Sequence, residues 1–381
     1  MNKKEVSEIK KQFKLDNVKL TIGRLSTRYI DEEGNTIWEN TAFFDSLPDD
    51  DRLEYMDIFK KTLGGGLGKN LLECPFDNAA YEADGIQGTL RNLISEELSN
   101  KDTIDTLFSN ISEQLNLHSK HYITLVHCNY TVPSDRKHKG ETDGSDDDYS
   151  EFPFIICSVC DMDRTKNGLC YDHKDKDIKK KANFDIEVQK TPLVGFMFPT
   201  FSDRTSDINA IMVFTKDKKE PNLTFIKDIL QAKYDISYEE ELGFFKDIVQ
   251  DVCGENLEFD IGKNIYSQLN DILERNVLET EQPTIGYKDV ENILVRSGVS
   301  PDVAKEAETA FENHMGDKHA QLKVINLTDE NKTNIKASGV NISISAKNTD
   351  AISTKVVDGI KCIVIPLEDN SVTINDMDVQ G

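Results

Sequence analysis

Two pairs of zinc-ligand residue types with matching spacing are the first candidates for chemistry. Two residues separate Cys157 from Cys160, and Cys170 and His173 repeat that spacing after nine further residues. Zinc binds four thiolate or imidazole ligands in a tetrahedron, and such pairs can supply them. However, the apolar run 152–159 predicts a strand, in which residues three apart point to opposite faces. We therefore favour buried or incidental thiols over a zinc site, and we expect no cofactor.

A polar loop later in the chain is the second candidate. It consists of Asp203, Arg204, Thr205, Ser206 and Asp207, which place two carboxylates, one guanidinium and two hydroxyls in five consecutive residues. Such a loop could bind a metal ion or a phosphate. The alternative, which we favour, is a turn in which Asp and Ser accept backbone N–H groups and the arginine pairs with an acid. Among the loops, this is where a ligand would be sought first.

A glycine-rich segment is similar in part to a phosphate-binding loop. Its residues are Gly64, Gly65, Gly66, Gly68, Lys69 and Asn70. The glycine spacing is one residue shorter than in G-x-x-x-x-G-K, an asparagine stands where Ser or Thr would bind magnesium, and a helix precedes the segment instead of a strand. We therefore interpret it as the end of a helix followed by a hinge.

The composition limits the classes of partner. The chain has 381 residues with 69 acidic and 45 basic side chains, a net charge of −24. This balance argues against sequence-blind binding of DNA or RNA, although a local patch at 179–181 keeps nucleic-acid association as a weaker alternative that predicts salt-sensitive binding. No segment approaches the roughly 18 to 20 apolar residues of a membrane span, and the N-terminus lacks the apolar region of a signal peptide. With seven scattered cysteines, the sequence predicts a cytoplasmic protein with reduced thiols and no membrane partner.

The periodicity of apolar residues predicts an α+β fold. Alternation at 18–23 and a turn at 33–35 predict a hairpin, and the runs at 121–130 and 152–159 are apolar on both sides, as in central strands. The resulting architecture is a central, mainly antiparallel sheet with flanking helices, a helical segment and a small C-terminal β unit. The expected divisions are an N-terminal hairpin with helices at 1–120, the central antiparallel sheet region at 121–221, a helical region at 222–318, and the C-terminal β unit at 319–381.

Five segments, in order along nearly the whole chain, resemble an uncharacterised bacterial family, a conserved domain of unknown function of about this length. They are MNKKEVSEIKKQF at 1–13, FKKTLGGGLGKNLL at 59–72, ICSVC at 156–160, GFMFPTFSDRTSDI at 195–208 and VDGIKCIVIPLEDN at 357–370. The resemblance implies a cytoplasmic bacterial protein with no assigned activity. The family pattern includes the glycine-rich segment and the 203–207 loop, but it does not include Cys170 or His173, which further disfavours zinc.

These observations favour a non-enzymatic cytosolic interaction or binding protein, with another protein as the expected partner. The acidic charge and the lack of a complete catalytic constellation motivate this hypothesis. The alternative is an enzyme, either a metal-assisted hydrolase or a phosphate-ligand-binding enzyme that uses the 203–207 loop. The sequence leaves the ligand, the identity of the partner and the oligomeric state open.

Overall fold

Long apolar strands form the centre of an antiparallel sheet in the first part of the chain. In the computed structural model, the described residues are 1–132, 150–163, 169–172, 177–180, 187–202, 204–234, 236–276, 282–329, 332–337, 339–366, 371–374 and 377–380. They form two compact units, Met1–Ser237 and Tyr238–Gly381, here named the sheet unit and the C-terminal unit.

The sheet unit contains twelve strands and four α-helices within the described ranges. The strands are β1 Leu20–Ile30, β2 Thr36–Phe43, β3 Leu71–Pro75, β4 His121–Val132, β5 Ser150–Asp163, β6 Leu169–Asp172, β7 Asp177–Lys180, β8 Glu187–Val188, β9 Val194–Phe198, β10 Thr200–Ser202, β11 Thr205–Asp207 and β12 Ala210–Thr215. The helices are α1 Lys3–Lys10, α2 Asp49–Thr62, α3 Ile86–Ser95 and α4 Lys101–Leu115, followed by a π-helical segment, Thr224–Ile229.

The main sheet runs β2-β1-β4-β5-β9-β12-β3, and β8 pairs with the end of β5. Every neighbouring pair is antiparallel. Apolar residues of α1 and α2 pack on one face, and those of α3, α4 and the π-helical segment pack on the other. Because both faces are covered, β4 is buried along nearly its whole length and β5 is buried continuously over 154–160. The predicted antiparallel sheet with flanking helices is confirmed.

The C-terminal unit joins a helical core to β-hairpins. Its helices are α5 Tyr238–Cys253, α6 Phe259–Arg275, α7 Tyr287–Ser297, α8 Pro301–Ala304, α9 Ala307–Met315 and α10 Val324–Leu327. Its strands are β13 Thr284–Ile285, β14 Leu322–Lys323, β15 Lys332–Ala337, β16 Val340–Ser345, β17 Ser353–Val357, β18 Ile360–Val364, β19 Ser371–Ile374 and β20 Met377–Gln380. The last six strands pair in sequence as three antiparallel hairpins, in agreement with the expected C-terminal β structure. Among the described helices, none has the length and apolar character needed to cross a bilayer.

Candidate ligand-binding site

A cleft of about 440 Å³ lies in the sheet unit between α2 and the strands at one end of the sheet. Trp38 of β2, Tyr55 of α2 and Tyr122 of β4 contribute aromatic walls, and Ala42 and Ile58 contribute aliphatic surface. We call this site the aromatic cleft. Its volume and its apolar lining are typical of a site for a small molecule.

Strand register places the aromatic side chains of the cleft on one face. Trp38 pairs with Tyr29 across β2 and β1, and Tyr29 pairs with Tyr122 across β1 and β4. Residues paired in register project from the same face of a sheet. Two residues further along the strands, and on the same face, Asn40 pairs with Thr27 and adds polar atoms to the cleft.

The aromatic rings are close to one another and one of them is accessible. The ring centroids of Trp38 and Tyr122 are 6.5 Å apart with an interplanar angle of 20°. The hydroxyl oxygens of Tyr55 and Tyr122 form a 2.7 Å hydrogen bond. Trp38 is 48% exposed, whereas Tyr122 is 7% exposed. A ligand entering the cleft would therefore meet the indole first and the buried phenol behind it.

Three charged side chains lie at the cleft: Asp51 and Glu54 on α2, and Lys190 after β8. Lys190 Nζ is 2.6 Å from Glu54 Oε2 and 3.9 Å from Asp57 Oδ2. The hydrogen bond from the ammonium to Glu54 raises the pKa of Lys190. Lys190 is therefore a cation held by α2, and the carboxylates outnumber it.

The two phenols of the cleft are neutral at physiological pH. Burial raises the pKa of Tyr122 far above its ordinary value. Burial also raises the pKa of Tyr55, and the nearby charge of Asp51 acts in the same direction. Both groups therefore act as hydrogen-bond donors and acceptors, since neither is ionised enough to serve as a base.

A second, smaller cavity of about 270 Å³ lies on the opposite face of the sheet, beside Arg28. Arg28 is buried, and its guanidinium binds Glu39 at 3.1 Å and also Asp105. The guanidinium lies 5.1 Å from the centroid of the Phe108 ring, and Lys101 Nζ lies 2.6 Å from Glu39 Oε1. Two cations and two carboxylates thus balance one another and join β1 and β2 to α4.

The predicted 203–207 loop forms a small hairpin in which β10 and β11 pair. Arg204 has a left-handed backbone with φ of 57°. Its Nη1 donates to both carboxylate oxygens of Glu8, at 3.3 and 3.1 Å, and the hydroxyl of Tyr130 donates to the same carboxylate at 2.7 Å. The loop is thereby joined to α1 and β4. Asp203 lies outside the described residues, and a ligand role for this loop stays a prediction.

The other side chains of this loop make local contacts. Thr205 Oγ1 donates to the carbonyl of Ser202 at 3.0 Å, and Asp207 Oδ1 accepts the backbone N–H of Asn209 at 2.9 Å. Ser206 is exposed on β11. These bonds shape the hairpin and its exit toward β12.

The glycine-rich segment connects α2 to β3. Gly65 has φ of 86°, and the backbone N–H groups of 69–71 all donate to the carbonyl of Gly66, at 2.9 to 3.1 Å. Asn70 Nδ2 donates to the carbonyls of Thr215 and Lys216, at 3.1 and 3.0 Å. The segment is thus bonded to the end of β12. Its role as a hinge stays a prediction.

The cysteines of the proposed zinc set are separated by the sheet. Cys157 lies in the core on the α4 side of β5, and Cys160 lies in the core on the α2 side. Burial raises the pKa of Cys160 to about 12 and that of Cys157 further. One ion cannot bind both thiolates. Cys170 belongs to β6 but its side chain is outside the described part, as is His173; among the described residues, no three His, Cys, Asp or Glu side chains are placed to hold a metal.

The basic patch at 179–181 lies largely outside the described side chains. Lys179 and Lys180 belong to β7, for which only the backbone pairing is described, and Lys181 is not described. Nucleic-acid association through this patch stays a prediction.

The sequence did not indicate the aromatic cleft. Trp38, Tyr55 and Tyr122 are far apart in the chain, and strand register and helix packing bring them together. One signal was present: Trp38 is the sole tryptophan of the chain, and it lies on a predicted hairpin.

Fold and cleft together define the sheet unit, which has helices on both faces of an antiparallel sheet and a ligand-sized cleft on one face. The family model described as "Domain of unknown function (DUF4317)" matches residues 1–377, and the chain belongs to this family. The predicted resemblance to a domain-of-unknown-function family is therefore confirmed. No curated protein matches the chain. No solved structure matches it either.

Proposed function

We propose that this chain is a non-catalytic binding protein that takes up a small molecule in the aromatic cleft. The observation that carries the proposal is the half-exposed Trp38 ring beside the buried, hydrogen-bonded pair of Tyr55 and Tyr122. Rigid aromatic side chains provide a large contact area and lose little conformational entropy when a ligand binds.

The chemistry of the lining favours binding over catalysis. Among the described residues, the cleft is lined by no His, Cys or Ser side chain that could act as a nucleophile or general base in the usual pairs. The raised pKa values of Tyr55 and Tyr122 keep both phenols protonated. Thr27 and Asn40 add polar atoms that can orient a ligand.

We further propose that the protein works in the cytoplasm. The cysteines whose side chains are described are all free thiols, and five of these six are buried in the cores of the two units. Reduced, buried cysteines are typical of a reducing compartment.

The single tryptophan makes the proposal directly testable. When 5-fluorotryptophan is incorporated, the only ¹⁹F resonance of the full chain reports on Trp38. We expect members of a fragment library of neutral, cationic and anionic organic compounds to shift this resonance in a saturable way.

Two matched variants control the experiment. Ala42→Leu places extra side-chain volume in the cleft and is expected to abolish the shifts. Ala79→Leu makes the same change at an exposed site outside the cleft and is expected to preserve them. If no fragment shifts the resonance of the unmodified chain, or if the two variants behave alike while both stay folded, the proposal is wrong.

A further inference from the structure

The carboxylate of Asp51 has no ion-pair or hydrogen-bond partner among the described residues, although it lies at the aromatic cleft. Asp51 is in the first turn of α2, where its charge is compatible with the helix dipole. Its field reaches Tyr55, one turn further along the helix. The cleft therefore presents, beside its aromatic wall, one carboxylate that pairs with no side-chain cation of the described residues.

The only basic residue among those lining the cleft in the described part does not neutralise this charge. Lys190 binds Glu54 at 2.6 Å and lies 3.9 Å from Asp57, so its ammonium is shared between two other carboxylates. The lining as a whole has two carboxylates and one ammonium. An anionic ligand would be repelled by this arrangement, whereas a cationic one would be attracted.

The aromatic wall of the cleft also attracts cations. The faces of indole and phenol rings are electron-rich, and they bind ammonium groups within about 6 Å of the ring centroid. Trp38 and Tyr122 present nearly parallel rings with centroids 6.5 Å apart. The exposed fraction of Trp38, 48%, leaves part of the indole accessible to such a group.

We infer that the ligand of the aromatic cleft is a small organic cation, an alkylated ammonium group carried on an apolar body. The ammonium head lies over Trp38 and Tyr122 with Asp51 as its counter-charge, and the body packs on Ala42 and Ile58. This inference rests on the proposed function, because it names the class of ligand that the same cleft takes up.

The test uses three probes of nearly equal shape and different charge. They are choline, its neutral carbon isostere 3,3-dimethylbutan-1-ol, and the anion 3,3-dimethylbutanoate, each titrated into the full chain while the ¹⁹F resonance of Trp38 is followed. We expect choline to bind about ten-fold more tightly than the neutral isostere, the ratio given by roughly 1.4 kcal/mol of cation–aromatic attraction. The anion is expected to bind most weakly.

Two neighbouring aspartates provide matched variants. Asp51→Asn is expected to weaken choline binding about three-fold and to leave the neutral isostere unchanged, as for the loss of an exposed charge pair. Asp50→Asn removes the same charge from the same helix turn at a residue that does not line the cleft, and it is expected to have a smaller effect on choline.

The outcomes separate the two proposals. If the neutral or anionic probe binds as well as choline, the inference is wrong and the proposed function stands. The same holds if none of the three probes binds while other fragments do. If no compound of any charge binds, both are wrong.

Discussion

The hydroxyl oxygens of Tyr55 and Tyr122 lie 2.7 Å apart, and their hydrogen bond joins α2 to the sheet at β4. Both phenols are neutral because burial raises the pKa of each, so one hydroxyl donates and the other accepts. Beside it, the hydroxyl of Thr27 on β1 donates to the carbonyl of Asn40 on β2 at 3.4 Å. The back wall of the aromatic cleft is therefore fixed by side-chain hydrogen bonds as well as by apolar packing.

Replacing either phenol with phenylalanine tests this bond. Tyr122→Phe is expected to lower the free energy of unfolding by about 1 kcal/mol, because the partly buried hydroxyl of Tyr55 loses its partner. The double variant Tyr55→Phe/Tyr122→Phe should cost less than the sum of the two single variants. Urea unfolding followed by the fluorescence of Trp38, which lies in the sheet unit, measures all three.

Tyr81→Phe is the control for this cycle. Its hydroxyl donates to Asn209 at 3.3 Å from an exposed position, so its loss should cost less than about 0.5 kcal/mol. Strict additivity of the Tyr55 and Tyr122 variants would show that their hydroxyls do not interact.

The Glu39 network gives the sheet unit a pH-dependent contribution to stability. The hydrogen bond from Lys101 lowers the pKa of Glu39 below its ordinary 4.5, and the charge of Arg28 acts in the same direction. A carboxyl group whose pKa is lowered by folding stabilises the fold at pH values above its pKa in the unfolded chain. This contribution is lost as the pH falls through its pKa in the folded chain. Glu39→Gln should therefore be less stable than the unmodified chain at pH 7, and the difference should shrink as the pH falls below 4.5.

The measurement is urea unfolding at a series of pH values. Glu113→Gln, an exposed change on α4, should show no comparable loss of stability at pH 7. A difference between Glu39→Gln and the unmodified chain that stays constant down to the acid limit would contradict the assigned network.

Two glycines of the sheet unit with left-handed backbones allow a matched test of the glycine-rich segment. Gly65 and Gly34 have nearly equal φ values, 86° and 87°. A Cβ at Gly65 would lie 2.5 Å from Cβ of Asn70, whereas a Cβ at Gly34 would meet nothing within 4 Å. Both alanine variants lose about 1 kcal/mol from the left-handed backbone, and only Gly65→Ala also displaces Asn70 from its bonds to β12. Thermal unfolding should therefore show the larger loss of stability for Gly65→Ala. Equal losses for the two variants would mean that the segment accommodates the added methyl group without further destabilisation.

The buried thiols of β5 are expected to be inert in the native state. Burial raises the pKa of Cys157 and brings that of Cys160 to about 12, so the reactive thiolate is scarce at neutral pH. Peptide mapping after alkylation should find Cys362, which is partly exposed, modified long before Cys157 or Cys160. A chelator should not change the labelling of the β5 pair; accelerated labelling after metal removal would show that a metal protects these thiols.

Local sequence patterns were sufficient to predict much of the sheet. The apolar runs of β4 and β5 identified central strands because both faces of the sheet are covered by helices. The opposite placement of Cys157 and Cys160 also follows from the alternation of a strand. These features depend on residues that are close in sequence, so the periodicity of apolar residues can predict them.

The aromatic cleft depends on contacts between distant residues, which periodicity does not report. Trp38 meets Tyr122 through the register of two strand pairs, and Tyr55 meets Tyr122 through the packing of α2. Arg204 shows the same limit, since the ion pair described for it is with Glu8 of the first helix, which is far from the loop in sequence. Tertiary geometry decides such pairs, and single-sequence patterns leave them open.

The most direct test of the central claim is a crystal structure of the full chain soaked with choline. The account predicts density for the probe in the aromatic cleft, with its ammonium within about 6 Å of the Trp38 and Tyr122 ring centroids and on the side of Asp51. Density for choline at another site, with the cleft empty or filled only by water at a saturating concentration, would contradict it.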